Sequence, residues 1–224
     1  MSNHLTLILP YILLAAGAGV LGGVLALSWS PGVKARSAIQ HFAAGAVLAA
    51  VASNVIPEVE RIGTFTGIMS GFAAGGLMMV GLKWLVVRFE HKEKSKNKLP
   101  VGLATAAAVD TFLDGAIIST GFSTGAQLGT LLTIALALEL LFLTLSVGVE
   151  FRKGQFKPRQ ALTVTSGIAF LLLLGAFAAS IFFGDASNAT LAVVLSFGAA
   201  ALIYLIAENC SLNLFRQKKV SFQQ

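Results

Sequence analysis

Seven apolar stretches, each more than 20 residues long and parted by short polar breaks, occupy almost the whole of this 224-residue chain. They fall at 5–29, 37–57, 64–87, 101–122, 126–150, 162–183 and 189–214. About 20 mostly apolar residues in helical form cross the hydrocarbon core of a bilayer, so each stretch is long enough to span one. Charged residues make up 12% of the chain and hydrophobic ones 56%, whereas an average soluble domain carries roughly 25% and 45–50%. Too few charges are present to cover a water-facing surface. A spanning structure must satisfy its backbone internally, as a helix or a closed barrel. The runs are continuous, without the period-two alternation of barrel strands. The sequence therefore predicts an all-α, polytopic membrane protein with seven transmembrane helices in a single transmembrane domain over residues 1–224.

The breaks carry turn or charge signals: Ser30-Pro31-Gly32, Pro57-Glu58, Lys98-Leu99-Pro100, Ser123-Thr124-Gly125, Lys157-Pro158-Arg159 and Asp185-Ala186-Ser187-Asn188. The longest connection, 88–100, contains EHKEKSKNK and reads as a solvated cytoplasmic loop. Of the 16 cations, fourteen lie in the first, third and fifth connections and the C-terminal tail, and only Arg61 lies in the other three. Lys83 sits one turn inside the third span, within snorkelling reach of the cationic side. This bias predicts an N-terminus outside and a C-terminus in the cytoplasm. It also accounts for the net charge of +6 without nucleic acid as a partner. The expected location is the plasma (inner) membrane of a prokaryote. Met1-Ser2-Asn3-His4 has no basic n-region, so no removable signal peptide is expected. The single cysteine, Cys210, excludes an intrachain disulfide.

Three acids stand where a bilayer disfavours them. Asp110 is nine residues into the fourth span, about 14 Å from its cytoplasmic edge, and Asp114 follows one turn later on the same face. Glu139 lies about 20 Å into the fifth span. A short connection makes these two helices antiparallel neighbours, so the three carboxylates can converge near the midplane. Ionisable residues at such depth mark functional sites by default. No Lys, Arg or His lies in the central part of any span, which leaves a metal ion or protons to balance the charge. The alternative is that each acid is protonated and satisfied by Ser, Thr or a backbone carbonyl. Thr111, Ser119 and Thr120 on the fourth span, with Thr144 and Ser146 on the fifth, are polar neighbours, though such hydroxyls commonly bond back to the i−4 carbonyl.

The segment Asp110-Thr111-Phe112-Leu113-Asp114-Gly115 resembles the His-Asn-x-Pro-Glu-Gly metal motif of the Zrt/Irt-like (ZIP) divalent-metal transporters. The second-span text HFAAGAVLAAVASNVIPEV is similar to the family's second helix, with Asn54 at its histidine and Pro57-Glu58 following. FGAAALIYLIAEN resembles a family helix that ends in an acidic residue, here Glu208. The chain departs from the pattern in several places. Asp110 stands at the motif's histidine, Thr111 at its asparagine, Leu113 at its proline and Asp114 at its glutamate. On the fifth helix Glu139 aligns with a histidine, while Leu140 and Leu143 replace two acids and Phe142 a proline. Phe170 lies near the place of a sixth-span acid, and seven helices are expected where the family has eight. The resemblance implies a ZIP-like bundle, a metal path between the fourth and fifth helices, and elevator-like movement.

An all-oxygen site of two Asp and one Glu favours Mn²⁺, Fe²⁺ or Mg²⁺ over the zinc of His-rich family sites. The expected function is transport of divalent cations (Zn, Mn or Fe) through Asp110, Asp114 and Glu139, with Thr111 or water completing the shell and no prosthetic group. His41 is either an exit ligand or proton relay, or simply interfacial. Glu208, with Asn209 and Cys210, is either a cytoplasmic release site or an ordinary helix-terminal acid. The second reading is a degenerate ZIP-like protein without transport, acting as a scaffold or regulatory subunit. An intramembrane enzyme is disfavoured by the lack of a nucleophile–base pair or HExxH-type motif. Glycine-rich faces, including Gly17, Gly19, Gly22 and Gly23 in the first span and Gly71, Gly75 and Gly76 in the third, serve internal packing or a homodimer.

Overall fold

The computed structural model describes residues 2–29, 31–91 and 101–221; most of the 88–100 connection therefore lies outside the described residues. Among the described residues the chain is helical, with no strand. The helices are α1 (Ser2–Ser28), α2 (Val33–Ala50), α3 (Ile56–Ile62), α4 (Phe65–His91), α5 (Val101–Thr124), α6 (Ala126–Lys153), α7 (Pro158–Phe183) and α8 (Asn188–Ser221), with a π-helical turn, Val51–Val55, between α2 and α3. Among the described residues, six segments are long and apolar enough to cross a membrane: Thr6–Ser28, Ser37–Ile62, Phe65–Leu85, Ala126–Lys153, Pro158–Phe183 and Asn188–Ala207. Exposed leucines and phenylalanines on their outer faces, such as Leu77, Phe170 and Phe182, suit lipid rather than water. The chain is an integral membrane protein.

The ends follow local chemistry. Pro158 opens α7, where its missing N–H is no loss, and the Gln160 side chain accepts the Lys157 N–H at 3.1 Å. Ser187 Oγ accepts the Thr190 N–H at 3.3 Å at the start of α8. The α6–α7 turn passes through Gln155 at φ 58°, and the Phe156 N–H returns to the Phe151 carbonyl at 3.2 Å.

The second span differs from its sequence-predicted end. Pro57-Glu58 reads as a break, yet the helix continues to Ile62. The π turn just before the proline absorbs the disruption: the Ile56 N–H reaches back five residues to the Val51 carbonyl, and Pro57, which has no N–H to donate, follows it. Glu58 is thus helical, and Arg61 holds it bidentately, with Nε at 2.9 Å from Oε2 and Nη2 at 2.6 Å from Oε1.

Helix α5, 24 residues and about 36 Å long, carries Asp110 and Asp114 near its middle and packs against α1, α4, α6, α7 and α8. The most extensive helix pairs are α1 with α6, α5 with α7, and α4 with α8. Helices α1, α5, α6 and α7 form one group of mutual neighbours; α8 joins α3 and α4 on the other side and touches α5.

Close crossings explain several glycines. A Cβ on Gly115 would run into the Leu172 carbonyl and lie 2.8 Å from the Ala176 nitrogen. One on Gly175 would run into the Phe112 carbonyl. The two residues seat α5 and α7 backbone to backbone. At the α1–α6 crossing, Thr144 Oγ1 donates to the Gly19 carbonyl across the interface at 2.7 Å and to its own-helix Leu140 carbonyl at 2.8 Å.

Candidate functional site

Gly125 alone separates α5 from α6, in an extended conformation at φ 173°. With so short a turn, residues equally far from position 125 stand at the same depth. Glu139 is 14 residues beyond it and Thr111 is 14 residues before it, so both lie about 21 Å from the turn. Asp110 and Asp114 lie within one turn of that level. The hairpin therefore brings the three predicted acids to one height.

Asp110 is 7% exposed, and both Asp114 and Thr111 are fully buried. Glu139 is only partly buried as a residue, but its Oε2 is withdrawn from the surface. Asp114 lies within electrostatic reach of both Asp110 and Glu139, and Glu139 of Asp110. No basic side chain among the described residues offsets them. Both carboxylate oxygens of Asp114, the Thr111 hydroxyl, the Ser119 hydroxyl and Glu139 Oε2 are buried without a hydrogen-bond partner. Buried polar groups are nearly always satisfied, because an unmade hydrogen bond costs about 1–3 kcal/mol. Five such atoms on two adjoining helices are a local concentration of unmet bonding capacity. By contrast, Thr120, Thr133 and Thr144 all bond to a carbonyl one turn back, as helix hydroxyls commonly do.

The carboxylates are neighbours rather than a closed shell: among the described residues, no group of three or more His, Cys, Asp or Glu is arranged to hold a metal ion as the side chains stand. What the arrangement offers is three neighbouring carboxyl groups, oxygen donors only, largely withdrawn from the surface.

The accessory residues are less centrally placed. His41 is exposed, and its Nδ1 lies 2.7 Å from the Ser37 carbonyl on its own helix. Its neighbour Gln40 is the residue that reaches inward, with Nε2 donating to Ser146 Oγ on α6 at 3.1 Å. Sequence reasoning missed Gln40, because nothing local announces a contact across 106 positions. That contact sets the register of α2 against α6. Asn54, 14 residues past Gln40, then lies level with Leu132, about 10 Å from the height of Glu139. Asn54 sits in the π turn, partly buried, with Nδ2 donating to Ser53 Oγ at 2.9 Å. Glu208 lies on α8, but its side chain is outside the described ones.

Neither a family model nor a curated protein matches the chain.

Proposed function

We propose that the chain is a secondary transporter or facilitator for divalent cations, whose substrate ion passes through Asp110, Asp114 and Glu139. One observation carries this reading: Asp114 is fully buried, both its carboxylate oxygens lack hydrogen-bond partners, and two further acids adjoin it with no basic side chain among the described residues. A cation is the ligand that such a cluster suits. In a transporter the site must release its ion as well as bind it, so an open cluster serves better than a closed cage. The donors are all oxygen, which favours Mn²⁺, Fe²⁺ or Mg²⁺ over Zn²⁺. Carboxylates must be ionised to bind, so metal entry exchanges for protons.

In this reading α5 also spans the membrane, as the fourth of seven helices, the N-terminus faces outward, and the cation-rich connections face the cytoplasm of a prokaryotic cell. Membership of the ZIP family, with elevator-like movement, is part of the proposal. The mutual packing of α1, α5, α6 and α7, with α3 and α4 lying mainly against α8, supports a movable group of helices. Asn54 is the proposed polar position on the outer side, while His41 and Glu208 are proposed for the cytoplasmic side. A homodimer would use the exposed face of α4, where Gly76 and Gly81 face open space.

A second reading, a ZIP-like scaffold or regulatory subunit without transport, is favoured by Leu140. It is fully buried and occupies the place of a family acid, against Gly19 of α1. Metal uptake into vesicles containing the purified protein separates the two. Transport predicts saturable Mn²⁺ uptake that Asp114→Ala abolishes; uptake unchanged by that substitution would remove the assignment.

A further inference from the structure

Behind the carboxylate site, on the opposite side of α5, lies a groove of about 640 Å³ between α5 and α7. Its walls are Ala104, Ala108 and Phe112 on α5 and Val164, Gly167 and Leu171 on α7, with Phe151 of α6 adjoining. Thr105 is the one polar side chain among the described residues that line it. Two features show space for a ligand. The groove lies at the end of the bundle from which both α5 and α7 start. A Cβ on Gly167 would meet no atom within 4 Å. Water gains nothing from so apolar a trough, and in a membrane protein the chemistry that fits it is a hydrocarbon chain.

The same end of the groove carries positive charge. Lys157 and Arg159, both exposed, stand at the start of α7 with no ion-pair partner among the described residues. Arg159 is five residues before Val164, about 7.5 Å along the helix and about 140° round it, so its long side chain must swing back to reach the groove mouth, whereas Lys157 stands at the mouth itself. Long basic side chains extend to the level of lipid phosphates while their stems stay on apolar surface. We infer that this groove is a binding site for an anionic phospholipid, one acyl chain lying between α5 and α7 and the phosphate held by Lys157 and Arg159. The inference rests on the chain being a membrane protein and not on its carrying metal. A lipid seated there would wedge the α5–α7 pair on the side away from Asp110 and Asp114.

The test uses the full chain in phosphatidylcholine vesicles containing a small fraction of either phosphatidylglycerol or phosphatidylcholine with a photoactivatable group in the acyl chain. Labelled peptides are mapped after irradiation, in the absence of added metal. The expected result is labelling concentrated on Phe112 and on 164–171, above that on the lipid-facing stretch around Leu77, and stronger with phosphatidylglycerol. Gly167→Leu, which has room to fold, should abolish the groove label and leave the Leu77 label intact. Each cation contributes roughly fivefold to anionic preference, so Lys157→Gln with Arg159→Gln should erase that preference. Groove labelling no greater than at Leu77, or indifferent to Gly167→Leu, would overturn the site. Equal labelling by the two lipids would overturn the assignment of an anionic headgroup. Metal transport is not read, so failure of the transport proposal leaves this result unaffected.

Discussion

Substituting Gly115 by alanine adds one methyl group at a place where backbone meets backbone. The new Cβ would lie 2.8 Å from the Ala176 nitrogen and 2.9 Å from the Leu172 carbonyl carbon, where ordinary contact begins near 3.4 Å. Neither neighbour is a side chain that can rotate away. Helices α5 and α7 must therefore separate by at least about half an ångström along a crossing that runs the length of their contact. Overpacking of this kind costs roughly 1–3 kcal/mol. Gly76 and Gly81 on α4 provide the comparison, because a Cβ at either meets nothing within 4 Å. Alanine there should be neutral or stabilising, by up to about 1 kcal/mol from helix propensity. The assay is thermal unfolding of purified protein in detergent. Gly115→Ala and Gly175→Ala should each lower the midpoint, whereas Gly76→Ala and Gly81→Ala should not. Gly175 faces Phe112 at the same crossing, so the double variant should cost less than the sum of the singles, the gap being already open. A Gly115→Ala midpoint equal to that of Gly76→Ala would show that the α5–α7 crossing has room for the added methyl group.

Other consequences are more local. Thr144→Val removes the hydroxyl that reaches from α6 to the Gly19 carbonyl of α1 while keeping the shape; it should cost about 0.6–1 kcal/mol, read as a lowered unfolding midpoint, with Thr144→Ser restoring most of the loss. Metal affinity should fall as pH falls, because protons compete for the same oxygens, by up to about tenfold per pH unit for each proton displaced. An affinity for Mn²⁺ that stays constant between pH 8 and 5.5 would exclude the exchange of metal for protons at these carboxyl groups.

Much of this arrangement is legible in the residues alone. The six apolar helices announce themselves by length, and the carboxylates by lying far from any cation. The short connection at Gly125 allows a comparison of depths by counting residues, since one tight turn ties Asp110, Asp114 and Glu139 to a common height. The second span extends past Pro57, where a proline normally interrupts a helix; the π turn that lets the helix pass it depends on backbone bonding spread over Val51–Val55. The α5–α7 crossing is half visible. Gly115 stands out beside Asp114, but nothing in the sequence pairs it with Gly175. The link from Gln40 to Ser146, and the inward position of Gln40 rather than His41, depend on how α2 is rotated against α6. Periodicity is a weak guide to rotation here, because a membrane helix is apolar on its lipid face as well as its packed face.

Calorimetric titration of the purified protein with Mn²⁺ at pH 7.5 tests the proposed binding of a divalent cation by Asp110, Asp114 and Glu139, set against Asp110→Asn, Asp114→Asn and Glu139→Gln, which keep the side-chain shapes and remove the charges. Saturable binding of one ion per chain is expected, weakened by each substitution and lost in the triple variant. No saturable binding by the unaltered protein, or equal binding by the triple variant, would contradict it.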